Sequence, residues 1–142
     1  MGQTREPTGT TAGAAAGGTA RVLVIDDDEH VLGLLTEVLT GEGYDVVGAM
    51  DGAAAVAAIR TQRPDLILLD LMMPVLDGWS FLELYRQLPG PHVPVIVLTA
   101  AAQEARVEAE GRADSVVPKP FSVDRVLALV NQYTGRTASH GV

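Results

Sequence analysis

The chain of 142 residues contains no cysteine. Disulfides, thiolate nucleophiles and cysteine-ligated zinc are therefore excluded, and the composition fits a reducing compartment such as the cytoplasm. No apolar run approaches the roughly 20 residues that span a bilayer, so no membrane segment is expected. The N-terminus lacks the Leu- or Ile-rich stretch of a secretory signal. Basic residues are scarce: 10 Lys and Arg stand against 18 Asp and Glu, for a net charge of −8. A phosphate backbone needs a basic face, so direct contact with nucleic acid is not expected. Much of the negative charge reads as an ordinary solubilising surface.

What is present is an alternation. Residues 1–20 are mostly Gly, Thr and Ala and cannot bury enough surface to offset their ordering entropy, so a flexible tail or linker is expected there. Residues 135–142 read as a second flexible tail, leaving 21–134 as one folded domain. Within it, apolar runs of strand length alternate with helical patterns. Strands are expected over Arg21–Ile25, Tyr44–Gly48, Asp65–Asp70, Pro94–Leu98 and Asp114–Val117. The first helix runs from Asp28 to about Thr40, with Val31, Leu34, Leu35, Val38 and Leu39 on one face. Asp51 caps a second helix ending near Gln62, and Gly78 opens a third carrying Phe81, Leu84, Tyr85 and Leu88. A fourth helix over 102–111 has a thin apolar face. Ser122 caps a fifth, with Val123, Val126, Leu127 and Val130 inward. Strand–helix alternation implies right-handed crossovers and an α/β, doubly wound parallel sheet.

Chemistry-bearing residues fall at the ends of these strands. Asp26 and Asp27 follow the first, Asp70 ends the third, Thr99 follows the fourth and Lys119 follows the fifth. Open α/β sheets place ligands at the carboxyl ends of their strands. Three converging carboxylates repel one another, and a divalent cation relieves that. One hydroxyl and one ammonium beside them suit a phosphoryl group. His30, His92 and His140 share no metal-ligand spacing, and no nucleophile–histidine triad is evident.

Four motifs now carry a resemblance: Val24-Ile25-Asp26-Asp27, the run from Asp70 to Gly78, Val97-Leu98-Thr99-Ala100, and Lys119-Pro120-Phe121. In this order they resemble the receiver domain of bacterial two-component response regulators over roughly residues 20–134. The resemblance implies a five-stranded, flavodoxin-like receiver fold of order 2-1-3-4-5. It implies that Asp70 is the phosphoacceptor, taking a phosphoryl group from a sensor histidine kinase or a histidine phosphotransfer protein. Mg²⁺ is the implied cofactor, held by Asp27, Asp70 and the backbone carbonyl of Met72, with Asp26 acting mainly through water. Thr99 and Lys119 would contact the phosphoryl oxygens, and the Lys119–Pro120 bond would be cis. The implied output is a changed protein-binding surface on the fourth helix, fifth strand and fifth helix. The downstream partner is unnamed, and phosphorylation-dependent homodimerisation is left open. Beyond its own phosphorylation and dephosphorylation, no enzymatic activity is expected.

The chain also departs from the family. Val116 stands where members often carry Tyr or Phe, so a ring-rotamer switch is unavailable there. Pro118 removes a donor from the fifth strand. The separation of Thr99 from Lys119 is short for the family. Met72 and Ala101 offer no hydrogen bond to an attacking water, and slow self-dephosphorylation is expected. Three other readings compete: a receiver excised from a hybrid kinase or larger regulator, a phosphorylation-independent binding module, and a haloacid-dehalogenase-type phosphohydrolase. The last is disfavoured because Asp26-Asp27-Asp28-Glu29-His30 lacks that family's Thr or Val.

Overall fold

The apolar runs of the first, third and fourth strands become the three inner strands of one sheet. A computed structural model describes residues 19–71, 78–89, 91–100, 111 and 113–135. The elements follow in order: β1 (Arg21–Ile25), α1 (Glu29–Gly41), β2 (Asp45–Ala49), α2 (Gly52–Gln62), β3 (Leu66–Asp70), α3 (Gly78–Gln87), β4 (Val95–Ala100), β5 (Ser115–Lys119) and α4 (Val123–Thr134). The sheet is parallel throughout, with order β2-β1-β3-β4-β5. This is the arrangement the resemblance implied. The helix expected over 102–111 lies outside the described residues except for Gly111, as do Met72 to Asp77 and Ala101.

Alternation along each strand splits the core into two layers. Leu23, Ile25, Ile67, Leu69, Val95, Val97 and Val116 pack with Ala55, Phe81, Leu82 and Tyr85 of α2 and α3. Val22, Val24, Leu66, Leu68, Ile96, Leu98 and Val117 pack with Leu35, Leu39, Val126, Leu129 and Val130 of α1 and α4. A strand buried on both faces must be apolar at every position, which is why β3 reads as an unbroken run.

Several expected boundaries and faces move. Thr99 and Lys119 lie inside β4 and β5, not after them. Backbone pairing continues through Thr99↔Pro118 and Ala100↔Lys119 although the side chains have turned polar. Pro118 is tolerated because β5 is an edge strand, whose alternate nitrogens face away from its partner. Leu34 and Leu84 are 43% and 37% exposed, so neither belongs to the inward stripe. The buried positions are Leu35 and Leu39 on α1, and Phe81, Leu82 and Tyr85 on α3. On α4, Leu129 is buried beside Val126 and Val130, and Leu127, expected inward, is partly buried against the same layer. Ala20, expected in the tail, is buried, and its carbonyl accepts from Asp45 N–H at 3.0 Å.

The end of the sheet away from the acidic residues is tied by Arg21. Its Nε donates to Asp45 Oδ2 at 2.6 Å and its Nη1 to the carbonyl of Gln62, while its backbone N–H donates to Asp65 Oδ2 at 2.7 Å. One residue thus joins the starts of β1 and β2, the end of α2 and the approach to β3. A second tie is buried: Tyr44 OH donates to Asn131 Oδ1 at 2.5 Å and lies 3.0 Å from Thr134 Oγ1. It fastens the entry to β2 to the last turn of α4.

Candidate functional site

β1 pairs with β2 on one side and with β3 on the other, so the strand order reverses between β1 and β3. A crevice opens at the carboxyl ends of strands around such a reversal. Asp26 and Asp27 leave β1 there, and Asp70 is the last residue of β3. One carboxylate oxygen from each lies within 4.8 Å of the others. Oxygens around one octahedral Mg²⁺ stand about 3 Å apart when adjacent and about 4 Å when opposite, given metal–oxygen distances near 2.1 Å. The donors are all hard oxygens gathered within 4.8 Å, so the cluster fits such an ion.

The three aspartates are not equivalent. Asp26 is fully buried and Asp70 is 4% exposed, whereas Asp27 is open to solvent. Asp26 is held from both sides: Asp28 N–H donates to its Oδ1 at 2.9 Å and Lys119 Nζ to its Oδ2 at 3.3 Å. Lys119 Nζ also stands 3.3 Å from Asp70 Oδ1. The Lys119–Pro120 peptide bond is cis, as expected. Lys119 therefore bridges the two buried carboxylates of neighbouring strand ends.

Burial alone would lower the Lys119 pKa, but the charges of Asp70 and Asp26 outweigh it and hold the ammonium above its ordinary value of 10.5. The folded state thus gains from this charge below pH 10.5 and loses the gain as pH rises through the elevated folded value. Lys119→Met leaves two buried carboxylates without their cation. We expect it to cost about 2 kcal/mol of unfolding free energy at pH 7, between the values for exposed and fully buried pairs. Urea unfolding at several pH values checks this. The gap between the two proteins should stay level to about pH 10 and close beyond it; equal stabilities at pH 7 would refute the assignment.

Thr99 is 1% exposed, and its Oγ1 is a buried side-chain oxygen without a hydrogen-bond partner among the described residues. A buried hydroxyl left so costs roughly 1–3 kcal/mol, which an incoming acceptor recovers. Val116 is buried two positions before Pro118, the register partner of Thr99, and so on the same face of the sheet. The position where the resemblance would place a ring therefore holds a small aliphatic group on the sheet face that Thr99 shares. Met72 lies outside the described residues.

Sequence reasoning missed one participant. Asp28 was expected to begin the first helix. It is instead the N-cap of α1, accepting from His30 N–H and Val31 N–H through Oδ1, while its own N–H holds Asp26. Those two backbone donors hold its carboxyl below the usual value. The preference of Asp for caps was the available signal.

These features define the class: a doubly wound α/β domain with an acidic cluster, a lysine and a buried threonine at the carboxyl ends of its strands. The family model for the response regulator receiver domain matches residues 22–131, and the chain belongs to that family, the receiver domains of two-component signalling. The DNA-binding response regulator MtrA of Mycolicibacterium smegmatis is 42% identical over 112 residues, 78% of this chain and 48% of MtrA. The response regulator MprA of Mycobacterium sp. (strain KMS) is 41% identical over 122 residues, 83% of this chain and 52% of MprA. The chain thus spans about half the length of the curated relatives it matches. Among solved structures, the receiver domain of Francisella response regulator 1452 superimposes with a TM-score of 0.75 at 35% identity, covering 84% of this chain and 100% of that one. The Thermotoga maritima response regulator TrrA, solved in complex with Mg²⁺ and BeF, gives 0.72 at 30% identity over 81% of this chain and 99% of that one.

Proposed function

We propose that Asp70 accepts a phosphoryl group from a phosphohistidine of a sensor histidine kinase or a histidine phosphotransfer protein. A carboxylate oxygen of Asp70 attacks phosphorus, the P–N bond breaks, the imidazole leaves with its electron pair, and an acyl phosphate remains. Such a transfer requires mainly positioning and neutralisation of charge. The observation that carries the reading is the bridge of Lys119 between Asp26 and Asp70, with the buried hydroxyl of Thr99 on the adjacent strand. Lys119 neutralises charge on the entering oxygens as a point cation. Thr99 donates its hydroxyl to one of them. Asp27 and Asp70, with Asp26 oriented behind them and the carbonyl of Met72 by family analogy, would hold Mg²⁺, which supplies the remaining positive charge.

The acyl phosphate draws Thr99 and Lys119 inward and biases two arrangements of the surface around β5 and α4. With Val116 in the ring position, that bias travels through Thr99 and the backbone of β4. The partners are a phosphodonor histidine protein and a downstream protein, and the location is cytoplasmic. Among the described residues no helix is long and apolar enough to cross a membrane. A second reading, favoured by the greater length of MtrA and MprA, is the receiver part of a longer regulator. MtrA is named as DNA-binding, so the negative charge of this stretch is no guide to whether a longer protein carrying it contacts nucleic acid.

Amide NMR during addition of Mg²⁺ and then beryllofluoride, a phosphoryl mimic, tests the proposal. Shifts should concentrate at residues 26–28, 70, 99 and 119 and extend along β5 into α4. A spectrum indifferent to both reagents would refute it.

A further inference from the structure

We infer that Asp28 is a positioning residue for the acidic cluster, acting through the geometry of its cap and not through its charge. This rests on the Mg²⁺ reading above. Asp28 leaves the helix with extended backbone angles, φ −88° and ψ 108°. Its side chain turns back onto His30 N–H at 2.9 Å and Val31 N–H at 3.4 Å. That closed turn fixes the peptide plane between Asp27 and Asp28, and the same plane aims Asp28 N–H at Asp26 Oδ1, 2.9 Å away. With Oδ2 engaged by Lys119, Asp26 has no freedom left to rotate. One cap therefore orients the buried carboxylate of Asp26 within the cluster. The Asp28 carboxylate faces solvent, about half exposed, where its charge is well screened.

The cap and the charge are separable, because Ser and Asn cap helices without carrying charge, whereas Ala does neither. Groups that orient metal ligands typically contribute 10- to 100-fold in affinity. Asp28→Ala should weaken Mg²⁺ binding by about 10-fold, near the low end of that range because the lost contact is indirect. Asp28→Ser and Asp28→Asn should stay within about 3-fold of the wild type, since caps of these residues are nearly equivalent. The measurement is an MgCl₂ titration of the whole chain followed by amide NMR, with far-ultraviolet circular dichroism to confirm that each variant is folded. A second readout is the residue-28 amide proton. It should resonate downfield in the wild type and the two neutral caps, and move upfield in Asp28→Ala as its bond to Asp26 is lost.

Equal Mg²⁺ affinity in Asp28→Ala and wild type overturns the inference. So does a parallel loss in all three variants, which would assign the effect to charge. If Asp28→Ala does not fold, near-wild-type affinity in the two neutral caps still separates cap from charge. A wild-type chain that shows no response to Mg²⁺ overturns the metal reading itself, and that result is distinct from the others.

Discussion

On the proposed reading, Asp70→Asn is expected to abolish uptake of a phosphoryl group from a small acyl-phosphate donor in the presence of Mg²⁺. The amide has the shape of the carboxylate but lacks its nucleophilic charge, so the P–O bond cannot form. The environment makes the loss complete. Asp26 is fully buried and held by Asp28 N–H and Lys119, and so is a poor substitute nucleophile. Asp27 is exposed, and Lys119 engages the two buried carboxylates instead. The fold survives, because Asn at a site only 4% exposed fills the same space and Lys119 keeps Asp26. Intact-protein mass spectrometry reads the result directly: the wild type gains one phosphoryl mass and the variant gains none. Incorporation in the variant at the wild-type rate would move the acceptor elsewhere and undo the assignment.

The largest loss of stability is expected at Gly78, the first residue of α3. Its N–H donates to Leu71 O at 2.8 Å, so the helix start is folded tightly back on the end of β3. A Cβ built there would lie 2.4 Å from Leu71 Cα and 2.7 Å from Asp70 O. Both are backbone atoms that move only if the strand end moves. Over-packing a core usually costs 1–3 kcal/mol, and a clash with backbone belongs at or above the top of that range. Gly78→Ala should lower the unfolding free energy by about 3 kcal/mol, a large part of the 5–15 kcal/mol typical of a domain. Urea denaturation measures it, and a shift below about 1 kcal/mol would show that the turn relaxes freely. Because the displaced atoms belong to Asp70 and its neighbour, the same substitution should slow phosphoryl uptake in molecules that remain folded.

Residues buried on both sides were the easiest to read. The run from Leu66 to Leu69 has one interpretation, since each side chain enters one or other core layer. Strand ends were harder. Hydrophobic signal stops at Leu98 and Val117, yet the ladder runs on to Ala100 and Lys119, because backbone pairing is indifferent to side-chain polarity. Helical spacing located apolar stripes but not their flanks: Leu34 and Leu84 sit at permitted positions and still face outward, because the sheet decides which edge of a stripe it covers. At the site, the convergence of Asp26, Asp27, Asp70 and Lys119 was legible from strand-end placement. The closeness of Gly78 to β3 and the Asp28–Asp26 bond were not, since both arise from how loops fold back in space.

The outer side of β5 is the rim along which a foreign chain could lengthen the sheet. Pro118, the penultimate residue of that rim, offers no hydrogen to a visiting strand. Fibril-like growth and runaway oligomers are discouraged there, and traffic with other molecules is left to side chains. A side-chain contact made beside this rim can thus form and release without the sheet being zipped irreversibly to a partner.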